Sequence, residues 1–126
     1  MPKTARPPER VVDLRSKFDR IRETWKPKIV AELNDSYVKL VKVKGEFVWH
    51  HHDREDELFL VMKGRLRIDL RDGPLVLREG ELAVIPRGVE HRPVADDEAH
   101  VLLLEPKTTV NTGHVGGDRT VDAEWI

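Results

Sequence analysis

The chain has no cysteine in its 126 residues, so neither a disulfide nor a thiolate-held metal is available to it. A cysteine-free composition suits a reducing compartment. It also has no excess of either charge: 22 basic residues face 23 acidic ones, for a formal net charge of -1. Proteins built to hold nucleic acid show a basic excess or stripe, and this chain shows neither, so no nucleic-acid partner is expected. Long apolar runs are absent too. Stretches such as Leu58–Met62 fall far short of the roughly 20 residues a membrane span needs, and the start, MPKTARPPER, lacks the apolar core of a secretion signal. We expect a cytoplasmic protein without a membrane partner. No glycine-rich phosphate loop and no Ser-His-Asp order stand out.

What is present is a high charged fraction, 36%, on a chain of single-domain length. Such a chain removes about two-thirds of its unfolded surface from water. Residues 1–10 are rich in proline and charge and read as a mobile arm. Over Asp13–Glu23, Leu14, Phe18 and Ile21 share one helical face, Asp13 suits the N-cap and Pro27 ends the element. Short strand patterns follow: Ile29–Leu33, Tyr37–Lys44, Phe47–His52, Glu57–Met62, Arg65–Arg71, Leu75–Leu77, Leu82–Ile85, His91–Val94 and His100–Glu105. Turn residues punctuate them, notably Asn34-Asp35-Ser36, Gly45, Lys63-Gly64 and Asp72-Gly73-Pro74. Many short strands at close spacing predict an all-β sandwich or barrel. Thr109–Thr112 reads as a further edge strand. Trp125-Ile126 forms an apolar end that should dock, on the barrel or on a partner subunit.

The histidines carry the chemistry. Side chains alternate along a strand, so His50 and His52 share a face while His51 points away. The other register pairs His51 with Asp53, and a one-residue slip exchanges the two faces. We prefer the first, which turns Val48 inward and Trp49 and His51 outward. Glu57 continues inward with Phe59 and Val61, and a carboxylate there is costly unless it is paired or binds a cation. Asp53, Glu55 and Asp56 read as a solvated charged loop. His91 follows the turn Pro86-Arg87-Gly88 and completes a set of three imidazoles and one carboxylate. His100 and His114 have no such support. In this register Val48, Phe59, Val61, Leu66, Ile68 and Leu70 would wall an apolar pocket.

Two segments resemble the paired motifs of the cupin superfamily. His50, one residue, His52, four residues, Glu57, six residues and Gly64 match the first. Gly80, five residues, Pro86, one residue, Gly88, two residues and His91 match the second. Four residues rather than five separate Gly45 from His50, and Ala95 stands where the second motif ends in asparagine. The resemblance covers about residues 28–105, and the whole looks like a small single-domain cupin. It implies a double-stranded β-helix, an RmlC-like jelly roll, with a short N-terminal helix. The expected division is an arm and helix at 1–27, the barrel at 28–106 and a tail at 107–126. It also implies one divalent metal ion (Fe, Mn, Ni, Zn or Cu) on His50, His52, Glu57 and His91, with positions open for a small-molecule ligand. Binding should weaken below about pH 6, as protons compete for the imidazoles. Two functions follow as expectations. One is a metal-dependent enzyme on a small organic substrate, of dioxygenase, isomerase or lyase type, with the metal as Lewis acid or oxygen-activating centre. The other is a non-catalytic binding or sensing module. Small cupins commonly dimerise, so a homodimer is expected, with Trp25 and Trp125-Ile126 offering apolar surface.

Overall fold

The computed structural model describes residues 10–126, so all but the last residue of the expected arm lies outside the described residues. Helix α1 is Leu14–Asp19, shorter than the apolar spacing suggested. Asp13 caps it as expected: its side chain accepts the backbone N–H of Ser16 at 3.2 Å. Ile21 lies beyond the helix yet is 1% exposed, packed with Phe18, Val30 and Leu40 on the outside of the β-structure. Among the described residues no helix is long and apolar enough to cross a membrane.

Eight strands follow: β1 Lys28–Leu33, β2 Ser36–Glu46, β3 Glu57–Lys63, β4 Arg65–Leu70, β5 Gly73–Arg78, β6 Leu82–Ile85, β7 His91–Pro106 and β8 Glu124–Trp125. The order is β5-β4-β7-β2-β1-β8, with β3 also on β7 and β6 on β3. Pairing is antiparallel except between β1 and β8. The all-β jelly-roll expectation holds. Its hinge is β7, one 16-residue strand where two short ones were expected. His91–Val94 pairs with β4, and His100–Leu104 pairs with β3, while β2 runs along most of its length. Paired with β2, β3 and β4 along its length, this one strand wraps the sheet around the inner core. Alternation fills that core: Phe59 and Val61 from β3, Leu66 and Ile68 from β4, Val101 and Leu103 from β7. Each such side chain contributes roughly 1.5–3 kcal/mol by leaving water.

Two local departures matter for the site. Phe47–His52 is not a regular strand; within it His50 alone bridges His91, through N–H···O bonds of 3.0 and 2.9 Å in both directions. The cause is on β7. Pairing runs from Glu46↔Val94 to His50↔His91, so Phe47, Val48 and Trp49 oppose only Arg92 and Pro93. Pro93 has no N–H to give, and the surplus residue breaks the ladder. Phe47 therefore turns inward and Val48 does not. Thr109–Thr112 forms turns rather than an edge strand, closed by bonds from Thr109 N to Pro106 O (3.0 Å) and Gly113 N to Val110 O (2.8 Å). The chain then returns through β8, which lays Trp125 beside Ile29 and edge-on to Tyr37 at 5.8 Å. The apolar end thus docks on its own barrel.

Candidate metal centre

His50 and His52 sit in the segment before β3, Glu57 opens β3 and His91 opens β7. The Pro86–Gly88 turn aims His91: Gly88, at φ +81°, donates its N–H to His52 O at 2.8 Å. Arg87 grips Asp56 through its backbone N–H (2.9 Å) and guanidinium (3.2 and 3.3 Å), so the turn before β7 is tied to the loop that delivers Glu57. Exposed pairs of this kind add little stability. Here the pair sets position.

All four residues are buried, at 2, 4, 6 and 1% exposure for His50, His52, Glu57 and His91. One ligand-type atom from each lies within 4.8 Å of the others. Glu57 Oε1 stands 3.3 Å from His52 Nε2 and 3.4 Å from His91 Nε2. None of these three buried atoms has a hydrogen-bond partner. Orphaned buried polar atoms cost about 1–3 kcal/mol each, and a shared cation would satisfy all three at once. Tautomers agree with that. His50 Nδ1 and His91 Nδ1 each donate to a carbonyl, of Val48 and Val89, at 2.9 Å. A carbonyl only accepts, so Nδ1 carries the proton and Nε2 the lone pair. The residues present fit a divalent ion.

Electrostatics point the same way. Burial, with the neighbouring His91 adding to it, lowers His50 to about 4, so its imidazole is neutral at pH 7. Burial pushes Glu57 up, but the imidazoles of His52 and His91 and the carboxyl of Glu105 more than reverse it, and Glu57 titrates well below the usual range. Glu105 moves the other way, raised well above that range by burial and by the charge of Glu57, with Lys39 opposing. The two carboxyls are thus pushed apart, Glu57 toward its charged form and Glu105 toward its neutral one.

Glu105 and its partner Lys39 are the site residues that sequence reading missed. Their ion pair spans 3.0 Å with side chains 3% and 7% exposed. The signal for Glu105 was the one used for Glu57: an acidic side chain on the same inward face as Val101 and Leu103. Of the expected pocket walls, Phe59 and Leu66 line a cavity of about 50 Å³ beside the centre. Val61, Ile68 and Leu70 are packed in the core or against it, and Val48 is replaced by Phe47. Trp25 stacks on Phe47 at 4.9 Å and closes one wall; its φ of +63° is held by bonds from its N–H to Lys42 O and from Nε1 to Lys44 O, both 2.8 Å. His51 faces away from the centre, against His114, and His100 stacks on Phe18 at 4.6 Å.

An antiparallel barrel that buries three imidazoles and one carboxylate around a common point defines a jelly-roll scaffold with a candidate metal centre. Residues 37–105 match the family model described as Cupin domain, and the chain belongs to that family. A cupin-2 domain containing protein from Shewanella frigidimarina is 48% identical, with 76% of this chain and 94% of that one covered and a TM-score of 0.75. Protein NMB1881 from Neisseria meningitidis is 32% identical over 76% of this chain and 98% of its own, with a TM-score of 0.71. The uncharacterized protein YdbB of Bacillus subtilis is 44% identical over 64 residues, 50% of this chain and 57% of its own length. The chain spans about half the length of the curated relatives it matches.

Proposed function

We propose that His50, His52, Glu57 and His91 hold one divalent transition-metal ion, and that the protein is a metal-dependent enzyme acting on a small organic molecule there. The carrying observation is the convergence of His52 Nε2, His91 Nε2 and Glu57 Oε1, buried together without hydrogen-bond partners. When bound, such an ion supplies Lewis acidity or a centre for oxygen chemistry. The protein's own groups do the rest. Glu105, driven toward its protonated form beside Glu57 and with Oε1 unpartnered, is the group placed to give or take a proton at the cavity wall. Phe47, Phe59, Val41 and Leu103 exclude water from it, and Trp25 limits what enters. A reaction of dioxygenase, isomerase or lyase type fits this equipment.

One observation favours the alternative, a non-catalytic binding or sensing module. The cavity, at about 50 Å³, is a third of the roughly 150 Å³ that accommodates benzene in an engineered core. An organic substrate must displace Trp25 or the C-terminal segment to enter.

The test is to strip the protein and reload it with Fe(II), Mn(II), Ni(II) or Zn(II). Metal content is then read by elemental mass spectrometry, and small diketones, flavonoids, sugars and carboxylic acids are screened for turnover. His50→Ala, His52→Ala, Glu57→Gln and His91→Ala should each lose the barrel metal, while His51→Ala keeps it. Retention by all four variants sinks the ligand assignment. Full loading with ligand-induced stabilisation and no turnover selects the binding module.

We also propose a cytoplasmic homodimer. Its support is an apolar outer face in which Leu58 and Leu60 of β3 pair with Val84 and Leu82 of β6 and with Leu104 and Leu102 of β7. Leu82 and Val84 are 57% and 50% exposed. Light scattering at micromolar concentration should give twice the chain mass; a monomer mass overturns it.

A further inference from the structure

The alternation that turns His50 and His52 inward leaves His51 on the opposite face of the same three residues. It does not stand alone there. His114 of the C-terminal segment stacks on it, ring centroids 3.8 Å apart at 24°, and Glu90 approaches from the turn before β7. We propose that His51, Glu90 and His114 form a second metal site, facing solvent, for a divalent ion of the Zn²⁺, Ni²⁺ or Cu²⁺ type.

The geometry behind this is independent of the barrel. One ligand-type atom from each of the three residues lies within 4.8 Å of the others. His51 Nε2 donates to Asp53 Oδ1 at 2.8 Å, which fixes the proton on Nε2 and the lone pair on Nδ1. That Nδ1 is buried at the atom level and has no hydrogen-bond partner. A carboxylate behind an imidazole whose other nitrogen is free is the arrangement that orients metal-binding histidines. His114 is held against His51 by the backbone: its N–H donates to His51 O at 3.2 Å, and His51 N–H donates to His114 Nδ1 at 3.2 Å. The second bond is long, and an ion can replace it. Gly113 makes the approach possible, since a Cβ there would collide with the His51 carbonyl oxygen. Glu90 rests one oxygen on Arg71 Nε at 3.3 Å, and its side chain is 42% exposed, so it can swing toward an ion at little cost.

Two imidazoles and one carboxylate make a three-ligand set that leaves a position for water, as zinc sites of this composition do. Nitrogen-rich ligation selects Zn²⁺, Ni²⁺ and Cu²⁺ over Mg²⁺ and Ca²⁺. The three residues come from separate segments: before β3, before β7 and after β7. An ion here would clip the C-terminal segment to the loops that carry the barrel histidines.

Titration of the metal-free full chain with Zn²⁺, followed by calorimetry and elemental mass spectrometry, decides it. Wild type should take two ions per chain, His114→Gln one, His91→Ala one, and the double variant none. Zn²⁺ should raise the melting temperature of His91→Ala but not of the double variant. Should His91→Ala not fold, Glu90→Gln and His114→Gln on the wild-type barrel still must each drop the count from two to one. A wild-type count of one that His91→Ala abolishes overturns the second site and leaves the barrel assignment standing. A count of one that His114→Gln abolishes, with His91→Ala unchanged, upholds the second site and removes the barrel assignment. A count of two in His114→Gln overturns the proposal.

Discussion

Replacing Glu105 with leucine strands the Lys39 ammonium inside the barrel wall, where its side chain is 7% exposed and its partner oxygen stood 3.0 Å away. Removing one partner of a buried ion pair costs about 3–5 kcal/mol, because the other charge is left uncompensated. Lys39→Met is the milder change. It leaves Glu105, which burial and Glu57 already drive toward its protonated form, so the acid takes up a proton instead of staying charged. What is lost is a charge-assisted hydrogen bond, worth about 1.5–3 kcal/mol. The double change Lys39→Met with Glu105→Leu removes both partners and should return to within about 1 kcal/mol of wild type. Urea denaturation of the metal-free protein at pH 7 reads these values. With a slope of roughly 2 kcal/mol per molar, Glu105→Leu should lower the midpoint by about 2 M and Lys39→Met by about 1 M. The Lys39→Met deficit should grow with pH. A raised folded-state pKa gives stability that is complete below the unfolded value and is lost as pH rises through the folded one. Equal penalties for the two single variants, or a double variant as unstable as Glu105→Leu, would refute the picture of a carboxyl that can neutralise itself beside a cation that needs its partner.

Other tests are simpler. Gly113→Ala should cost more than Gly116→Ala, although both sit at positive φ (+57° and +67°): the first Cβ strikes His51 O, while the second meets nothing within 4 Å. Backbone strain alone is about 1–2 kcal/mol, so thermal melting should show roughly that loss at 116 and a larger one at 113. Metal-free protein should lose stability as pH falls from about 6.5 to 4, because His50 titrates at about 4 when folded and near its ordinary value when unfolded. A lowered folded pKa gives stability that is present above the unfolded value and lost below it, here about 3 kcal/mol. His50→Asn should flatten that part of the melting-temperature profile. For the same reason, protonation of His50 should not compete with the proposed metal until well below pH 6, which a metal-loading titration against pH checks.

Much of the site was legible because its spacing is local. His50 and His52 share a face, and Glu57 and His91 open strands just after turn residues; these are properties of a few consecutive residues. The same reading places Asp13 at the helix cap and Gly45 at the irregularity between Val43 and Gly45. Val48 fails for an equally specific reason. Its direction depends on Pro93, 45 residues later, which breaks the ladder opposite it. No period within Phe47–His52 records that.

The sequence alone therefore determined the alternation, the turns and the residue types of the candidate site, since period two follows from the backbone of one strand. Tertiary structure decided which strands became neighbours. That choice made β7 continuous, brought Lys39 to Glu105 across 66 residues and laid His114 against His51 across 63. It also decided which carboxyl is driven toward its neutral form. Glu57 and Glu105 are chemically identical side chains, and it is their neighbours, two imidazoles beside Glu57 and Lys39 beside Glu105, that tell them apart.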